Sequence, residues 1–181
     1  MSTHISPHLV LPVLPTRDHI RGPVNAPLTL LEYGDYECPY CGAAHPVVQE
    51  VRRLLGNQLR FVYRHFPLTN VHAHAEPAAE AAEAAGAQER FWPMHDMLFE
   101  HQDALEADDL AAYAEALGLD VPRFVTELAD GIYRPRVRED FLSGVRSGVN
   151  GTPSFYVNGI RHDGAPDLQS LLWSIQHAKA A

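Results

Sequence analysis

The stretch of sequence that decides the fold class reads Leu31-Glu32-Tyr33-Gly34-Asp35-Tyr36-Glu37-Cys38-Pro39-Tyr40-Cys41-Gly42. Two residues separate its cysteines. This spacing lets both sulfurs meet when the pair straddles the start of a helix, where unpaired backbone N–H groups stabilise negative charge. Such an environment lowers the pKa of a thiol, and the thiolate is the reactive form. We therefore expect Cys38, at the exposed tip of the loop, to be the nucleophile and Cys41 to resolve the mixed disulfide.

The same cysteine pair has two other interpretations. A C-x-x-C is half of many zinc sites, but the sequence holds no other cysteine, and closed zinc sites need a second pair or a histidine pair. The histidines that make the sequence metal-capable are His65, His72, His74, His95 and His101. A metal-binding or metal-delivery protein that uses the pair with histidine is therefore the alternative, although scattered histidines are usually surface or packed side chains, and we assign no metal site. Two cysteines buried as small apolar residues fit poorly with the neighbouring proline and acids, which are typical of an exposed turn.

Hydrophobic periodicity places the cysteine pair inside a β-α-β unit. Residues 28–33 and 59–65 form short runs rich in apolar, aromatic and β-branched residues, which are typical of buried strands. Between these runs, apolar residues recur at helical spacing from Val47 to Leu55, and Gly56-Asn57 is a helix stop. The pattern predicts a strand, a helix that starts at the cysteines, and a second strand.

The rest of the chain divides into a helical block and a strand-containing end. Alanine-rich helical periods predict helices over residues 77–85, 88–101, 108–117, 122–129 and 135–147. The end of the chain predicts a strand over 154–157, a two-residue turn at Asn158-Gly159, a return strand over 160–162 and a helix over 168–177. The predicted fold class is therefore α/β, with an all-helical insertion between the second and third core strands.

The cysteine-containing stretch resembles the active-site segment of the DsbA-like branch of the thioredoxin superfamily. The likeness runs from about His19 to the C-terminal helix and includes the later segment Val149-Asn150-Gly151-Thr152-Pro153-Ser154-Phe155. The resemblance implies a thioredoxin fold and a protein-disulfide oxidoreductase that exchanges disulfides with protein or peptide thiols. It implies thioredoxin-fold segments at 28–70 and 149–181 and a helical insertion at 71–148. The Pro- and His-rich residues 1–27 are expected to form a loose leader that ends in an edge strand, with the ordered core beginning near Leu28.

The resemblance also gives roles to residues outside the cysteine pair. Pro153 matches the family's cis-proline; because it has no N–H to donate, the backbone of Thr152 is left to pair with an extended substrate strand. Glu32 stands where superfamily members place an acid beneath the second cysteine. Burial there would raise its pKa, so that it could exchange protons with Cys41. From the residues alone, Glu32 also fits a solvent-facing carboxylate, and 151–153 fits an ordinary turn.

The two residues between the cysteines, Pro39 and Tyr40, are expected to contact the substrate. Tyr40 occupies the position where DsbA itself carries a histidine, so this centre resembles that of the glutaredoxins. A neutral phenol helps the Cys38 thiolate less than a histidine could, which argues against a strongly oxidising pair. The expected electron partner is a thioredoxin-type or glutathione system, and a glutathione-linked activity is a further hypothesis.

Charge and composition exclude several classes of function. The formal net charge of -9 would repel phosphate backbones and anionic lipid heads, so we expect neither nucleic acid nor a membrane as a partner. The apolar run at 8–14 is interrupted by prolines and is not typical of a signal peptide. Two cysteines form no framework of structural disulfides, and we therefore expect a cytoplasmic location. No bound cofactor is expected, because the cysteine pair itself carries the electrons.

Overall fold

A mixed sheet with the strand order β1-β3-β2-β4-β5 lies at the centre of the computed structural model, which describes residues 8–178. Its strands are β1 (His19–Arg21), β2 (Leu28–Gly34), β3 (Leu59–His65), β4 (Ser154–Val157) and β5 (Ile160–Arg161). The central strands β2 and β3 run parallel, whereas β1 pairs antiparallel with β3, and β4 pairs antiparallel with β2. This arrangement puts β2, the strand that leads to the cysteines, in the middle of the sheet.

Helices α2 to α6 all lie between β3 and β4 in the chain. The helices are α1 (Pro39–Leu55), α2 (Ala75–Gly86), α3 (Phe91–Glu100), α4 (Ala107–Ala116), α5 (Val121–Ala129), α6 (Arg134–Arg146) and α7 (Leu168–His177). A 3-10 turn at Gly56–Gln58 follows α1. The predicted α/β fold class and the helical insertion between the second and third core strands are thereby confirmed.

The β2-α1-β3 unit forms because one face of α1 is apolar. This face buries Cys41, Ala44, Val48 and Val51 against the sheet. The helix ends at Leu55; the next residue, Gly56, donates its N–H to the carbonyl of Arg52, and its positive φ of 50° turns the chain out of the helix. The predicted strands and the predicted helix stop agree with the structure, except that β2 runs one residue further, to Gly34.

The sequence also specifies the hairpin between β4 and β5. Asn158 and Gly159 have positive φ values of 46° and 78°, as a two-residue turn of this type requires. The turn brings Val157 opposite Ile160, and β5 ends at Arg161, one residue before the predicted boundary. The final helix α7 has its predicted limits.

Two hydrophobic clusters cover the two faces of the sheet. The larger cluster joins the sheet to α1, α7 and most of the helical block, through side chains such as Leu30, Phe61 and Leu98. The smaller cluster includes Leu31 and Val62, and Leu9 and Val13 pack against it. Adjacent residues of β2 therefore point to opposite clusters, as the alternation of side chains along a strand requires.

Residues 8–27 are held to the core more firmly than the expected loose leader. Asp18 is buried, and its carboxylate accepts two hydrogen bonds from the buried guanidinium of Arg64, at 2.9 and 3.0 Å. Arg64 also donates to the carbonyls of Leu11 and Pro12. The prolines suggested a loose segment, but the buried charge on β3 needs these partners. The predicted edge strand lies within this range as β1, whereas residues 1–7 lie outside the described part.

Candidate active site

The cysteine pair stands at the junction between β2 and α1. Cys38 is the residue before the first turn of α1 and has an extended backbone, with φ -73° and ψ 120°. Pro39 occupies the first helical position, where a missing N–H costs nothing. The N–H of Gly42 donates to the Cys38 carbonyl at 3.0 Å, which closes the first helical turn. Both cysteines are free thiols.

The two thiols are less accessible than the sequence suggested. Cys38 was expected at an exposed tip, but it is only 3% exposed, and Cys41 is fully buried. The exposed residue of the motif is Tyr40, which is 72% accessible. Cys38 is covered from another part of the chain, because its Sγ lies 3.5 Å from the carbonyl oxygen of Thr152. This contact joins residues 114 positions apart, so the residues around Cys38 carry no local signal of it.

The environment of the two thiols separates their pKa values. A hydrogen bond from the Cys41 side chain, with further bonds from the backbone N–H groups of Cys41 and Tyr40, lowers the pKa of Cys38 to about 5. Burial raises the pKa of Cys41 well above its usual value, and the neighbouring charge of Glu32 adds to this effect. At neutral pH, Cys38 is therefore a thiolate, whereas Cys41 keeps its proton.

Glu32 lies in the buried part of β2, opposite Tyr63 of β3 and Phe155 of β4. It is 2% exposed, and its Oε1 has no hydrogen-bond partner among residues 8–178. Burial, together with the nearby negative charge of Cys38, raises the pKa of Glu32 to about 8. The alternative of a solvent-facing carboxylate does not fit this position. A carboxyl group with such a pKa can take up or release a proton near neutral pH.

The segment before β4 lies against the cysteine loop. The peptide bond between Thr152 and Pro153 is cis, and the Thr152 carbonyl is the group that contacts Cys38. The structure thus brings Cys38, Cys41 and the Thr152-Pro153 peptide together. Pro39 and Tyr40 face solvent beside them.

Two acids that precede Cys38 have structural partners that the sequence did not reveal. Asp35 was expected in an exposed turn but is 2% exposed, and its carboxylate accepts hydrogen bonds from the N–H groups of Glu37 and Leu68 and pairs with His72 Nδ1, each at 2.8 Å. Glu37 accepts bonds from the backbone and ring of His74, at 2.6 and 3.1 Å. These contacts fix the cysteine loop to the connection between β3 and α2. They also engage the rings of His72 and His74, two of the histidines that make the sequence metal-capable.

Metal-ligand clusters do not form around the cysteines in the described part of the chain. The two groups there with metal-like spacing are His45–His95–Asp96 and His65–Glu83–Asp140. In each group an aspartate carboxylate already accepts hydrogen bonds from arginine. Arg21 donates to Asp96 at 2.9 Å, and Arg17 and Arg136 each donate to Asp140 at 2.6 Å. A cation would have to compete with these guanidinium groups. The geometry gives no support to a metal site built from the cysteine pair and histidine.

Comparison with known proteins gives close sequence relatives and a common fold. The chain is 51% identical over 172 residues to the Na(+)/H(+) antiporter NhaA 1 of Salinispora arenicola. The aligned residues make up 95% of this chain and 26% of that protein. The chain thus spans about a quarter of the length of this relative. Within residues 8–178, no helix combines the length and apolar character needed to cross a membrane.

Two solved structures show the same architecture. A thioredoxin-like oxidoreductase from Silicibacter pomeroyi is 25% identical, with a TM-score of 0.80, over 91% of this chain and 94% of that one. The alpha-DsbA1 protein of Wolbachia pipientis is 22% identical, with a TM-score of 0.77, over 93% of this chain and 92% of that one. The sequence model of the family described as thioredoxin matches residues 15–177. The chain therefore belongs to the thioredoxin family, and it has the fold of the DsbA-type oxidoreductases.

Proposed function

We propose that this protein is a thiol–disulfide oxidoreductase that exchanges disulfides with protein or peptide thiols through a mixed disulfide at Cys38. The observation that carries the proposal is the difference between the two thiols at the start of α1. The pKa of Cys38 is lowered to about 5, whereas that of the buried Cys41 is raised. Cys38 is therefore the thiolate that attacks the substrate, and Cys41 stays protonated until it resolves the mixed disulfide.

In the reducing direction, the chemistry proceeds in two exchanges. The Cys38 thiolate attacks one sulfur of a substrate disulfide, a new S–S bond forms, and the other substrate sulfur leaves as a thiolate that takes a proton from solvent. Cys41 then loses its proton and attacks the Cys38 sulfur. The mixed disulfide breaks, and the second substrate sulfur is released. Two electrons pass from the cysteine pair to the substrate, and the reverse sequence oxidises a substrate dithiol.

Glu32 is the proposed acceptor of the Cys41 proton. While Cys38 is a thiolate, its charge contributes to the raised pKa of Glu32. In the mixed disulfide Cys38 carries no charge, so this contribution disappears and Glu32 becomes easier to ionise. Glu32 therefore gains a carboxylate's capacity to accept a proton at the stage when Cys41 must lose one. Burial of both groups favours transfer between them over transfer to solvent.

The substrate is proposed to bind as an extended segment beside the Thr152-Pro153 peptide. Pro153 has no N–H, so the backbone of Thr152 can pair with a strand that carries the reacting cysteine. Tyr40 offers an exposed aromatic ring next to Cys38. Contacts to backbone and to one aromatic ring suit many sequences, which supports proteins and peptides as the substrate class.

The mixed disulfide provides the direct test of this proposal. A Cys41→Ser variant keeps the nucleophile but cannot resolve the intermediate, so it should accumulate a covalent adduct with a disulfide-containing peptide. The adduct is measured by mass spectrometry before and after reduction. The double variant, in which Cys38 is also serine, is the control and should form none. Absence of an adduct at Cys38 in the Cys41→Ser variant would refute the proposed function.

The location and the electron partner are parts of the same proposal. We infer a thioredoxin-type or glutathione system as the partner and the cytoplasm as the location, supported by a sequence with two cysteines and no structural disulfide framework. The relative from Salinispora arenicola is named as a Na(+)/H(+) antiporter, and this chain corresponds to 26% of it. Our proposal is that the shared portion is a thiol-redox unit of that longer protein.

A further inference from the structure

One side chain of the helical insertion reaches the backbone of the cysteine loop. Gln102 lies in the connection between α3 and α4. Its Nε2 donates to the carbonyl oxygens of Tyr36, at 2.7 Å, and of Cys38, at 2.9 Å. One amide nitrogen thus donates to two carbonyls of the cysteine loop, and one of these belongs to the nucleophile, Cys38. The partners are more than 60 residues apart in the chain, so this contact depends on the complete fold.

Gly42 makes room for this amide. A Cβ built on Gly42 would overlap Oε1 of Gln102. The absence of a side chain at the residue after Cys41 therefore leaves space for the amide beside the first turn of α1. Gln102 and Gly42 fit each other on one side of the loop, while the Thr152 carbonyl contacts Cys38 Sγ.

The contact bears on the stability of the Cys38 thiolate. The Cys38 carbonyl accepts hydrogen bonds from Gln102 and from the N–H of Gly42, and these two bonds fix the orientation of the first helical turn. That turn supplies the N–H groups of Tyr40 and Cys41 that face the sulfur. The amide N–H groups of Gln102 also offset the partial negative charge of the Tyr36 and Cys38 carbonyl oxygens in the loop that carries the thiolate. Without the amide, the partial negative charge of these two carbonyls would be compensated less within the loop that carries the thiolate.

We propose that Gln102 is a positioning residue for thiol–disulfide exchange, which acts through the Cys38 backbone to stabilise the thiolate and to favour the dithiol over the disulfide. The inference rests on the proposed function of the cysteine pair. It assigns the helical insertion a direct part in setting the redox equilibrium.

The test compares glutamine variants in a glutathione redox buffer. Loss of the hydrogen bonds in Gln102→Ala should shift the dithiol–disulfide equilibrium about fivefold toward the disulfide. Gln102→Glu preserves the shape of the side chain but turns a carboxylate toward the two carbonyls, so its shift should have the same direction and be larger. The thiolate absorbance of both reduced variants should titrate at a higher pH than that of the wild type.

The matched control is Gln88→Ala. Gln88 belongs to the same helical block and also bonds to backbone, through Asp120 N at 2.8 Å, but these bonds lie on another loop. This variant should keep the wild-type equilibrium and titration. Wild-type values in folded Gln102→Glu would overturn the inference, whatever the stability of the alanine variant. If the wild-type protein itself showed no reversible dithiol–disulfide equilibrium, the proposed function would fail and the inference with it.

Discussion

Replacing Cys38 with serine should abolish dithiol-dependent reduction of insulin, with a loss of at least about a hundredfold in rate. The expected loss is large because the Cys38 thiolate is the group that attacks the substrate, and a serine hydroxyl stays protonated at neutral pH. Cys41 cannot substitute for it, since it is fully buried and its pKa is raised. Precipitation of the insulin B chain measures the rate directly.

The Cys41→Ser variant is the matched control for this experiment. Like Cys38→Ser, it lacks one thiol, but it keeps the nucleophile. It should therefore react once with a disulfide and fail to turn over. Rapid alkylation of the protein by iodoacetamide should persist in this variant, which keeps Cys38, and should be absent from Cys38→Ser. Full turnover in Cys38→Ser would assign the chemistry to another residue.

The second large effect concerns stability. Asp18→Asn should lower the free energy of unfolding by about 3–5 kcal/mol, because it leaves the buried guanidinium of Arg64 without its charged partner. The side chains of both residues are inaccessible to solvent, and the pair is bidentate, at 2.9 and 3.0 Å. Urea unfolding followed by far-ultraviolet circular dichroism measures the change. An Asp18→Asn midpoint equal to the wild type would show that the pair does not hold residues 8–27 in place.

The same pair predicts a dependence of stability on pH. Burial alone would raise the pKa of Asp18, but the hydrogen bonds and charge of Arg64 outweigh burial and lower it. A carboxyl group whose pKa is depressed in the folded state stabilises the fold above its unfolded pKa of about 4. This contribution should therefore be lost in the wild type as the pH falls below that value. Glu50→Ala is the control for the Asp18→Asn variant. Because the Glu50–Arg53 pair is exposed, its loss should leave the urea midpoint unchanged.

Local patterns predicted most of the secondary structure because those patterns depend on neighbouring residues. Asn158-Gly159 specified the hairpin through its need for positive φ, and the apolar spacing of 168–177 specified α7. Residues 8–27 differ, because a distant strand decides how they are held. Their prolines indicate a loose segment, whereas the buried Arg64 on a distant strand requires Asp18 and nearby carbonyls as partners.

The sequence identified the reacting groups of the site but not their surroundings. The spacing of Cys38 and Cys41 predicts a redox pair, since two residues suffice to bring the sulfurs together at a helix start. Thr152 contacts the sulfur of Cys38, and Gln102 donates a hydrogen bond to its carbonyl. Both residues are distant from Cys38 in the sequence. A single glutamine in a loop carries no local signal of such a role. The presence of Tyr40 in place of a histidine also does not reveal the groups that lower the pKa of Cys38, which are the Cys41 side chain and backbone N–H groups.

The measurement that tests the central claim most directly is the midpoint reduction potential of the Cys38–Cys41 pair in a glutathione buffer series. A Cys38 pKa of about 5 lies between about 7 for thioredoxin and about 3.5 for DsbA. The stability of the reduced form should follow the same order, so we expect a reversible two-electron transition at about -200 mV, between about -270 and about -120 mV. A pair that shows no reversible transition would contradict the assignment as a thiol–disulfide oxidoreductase.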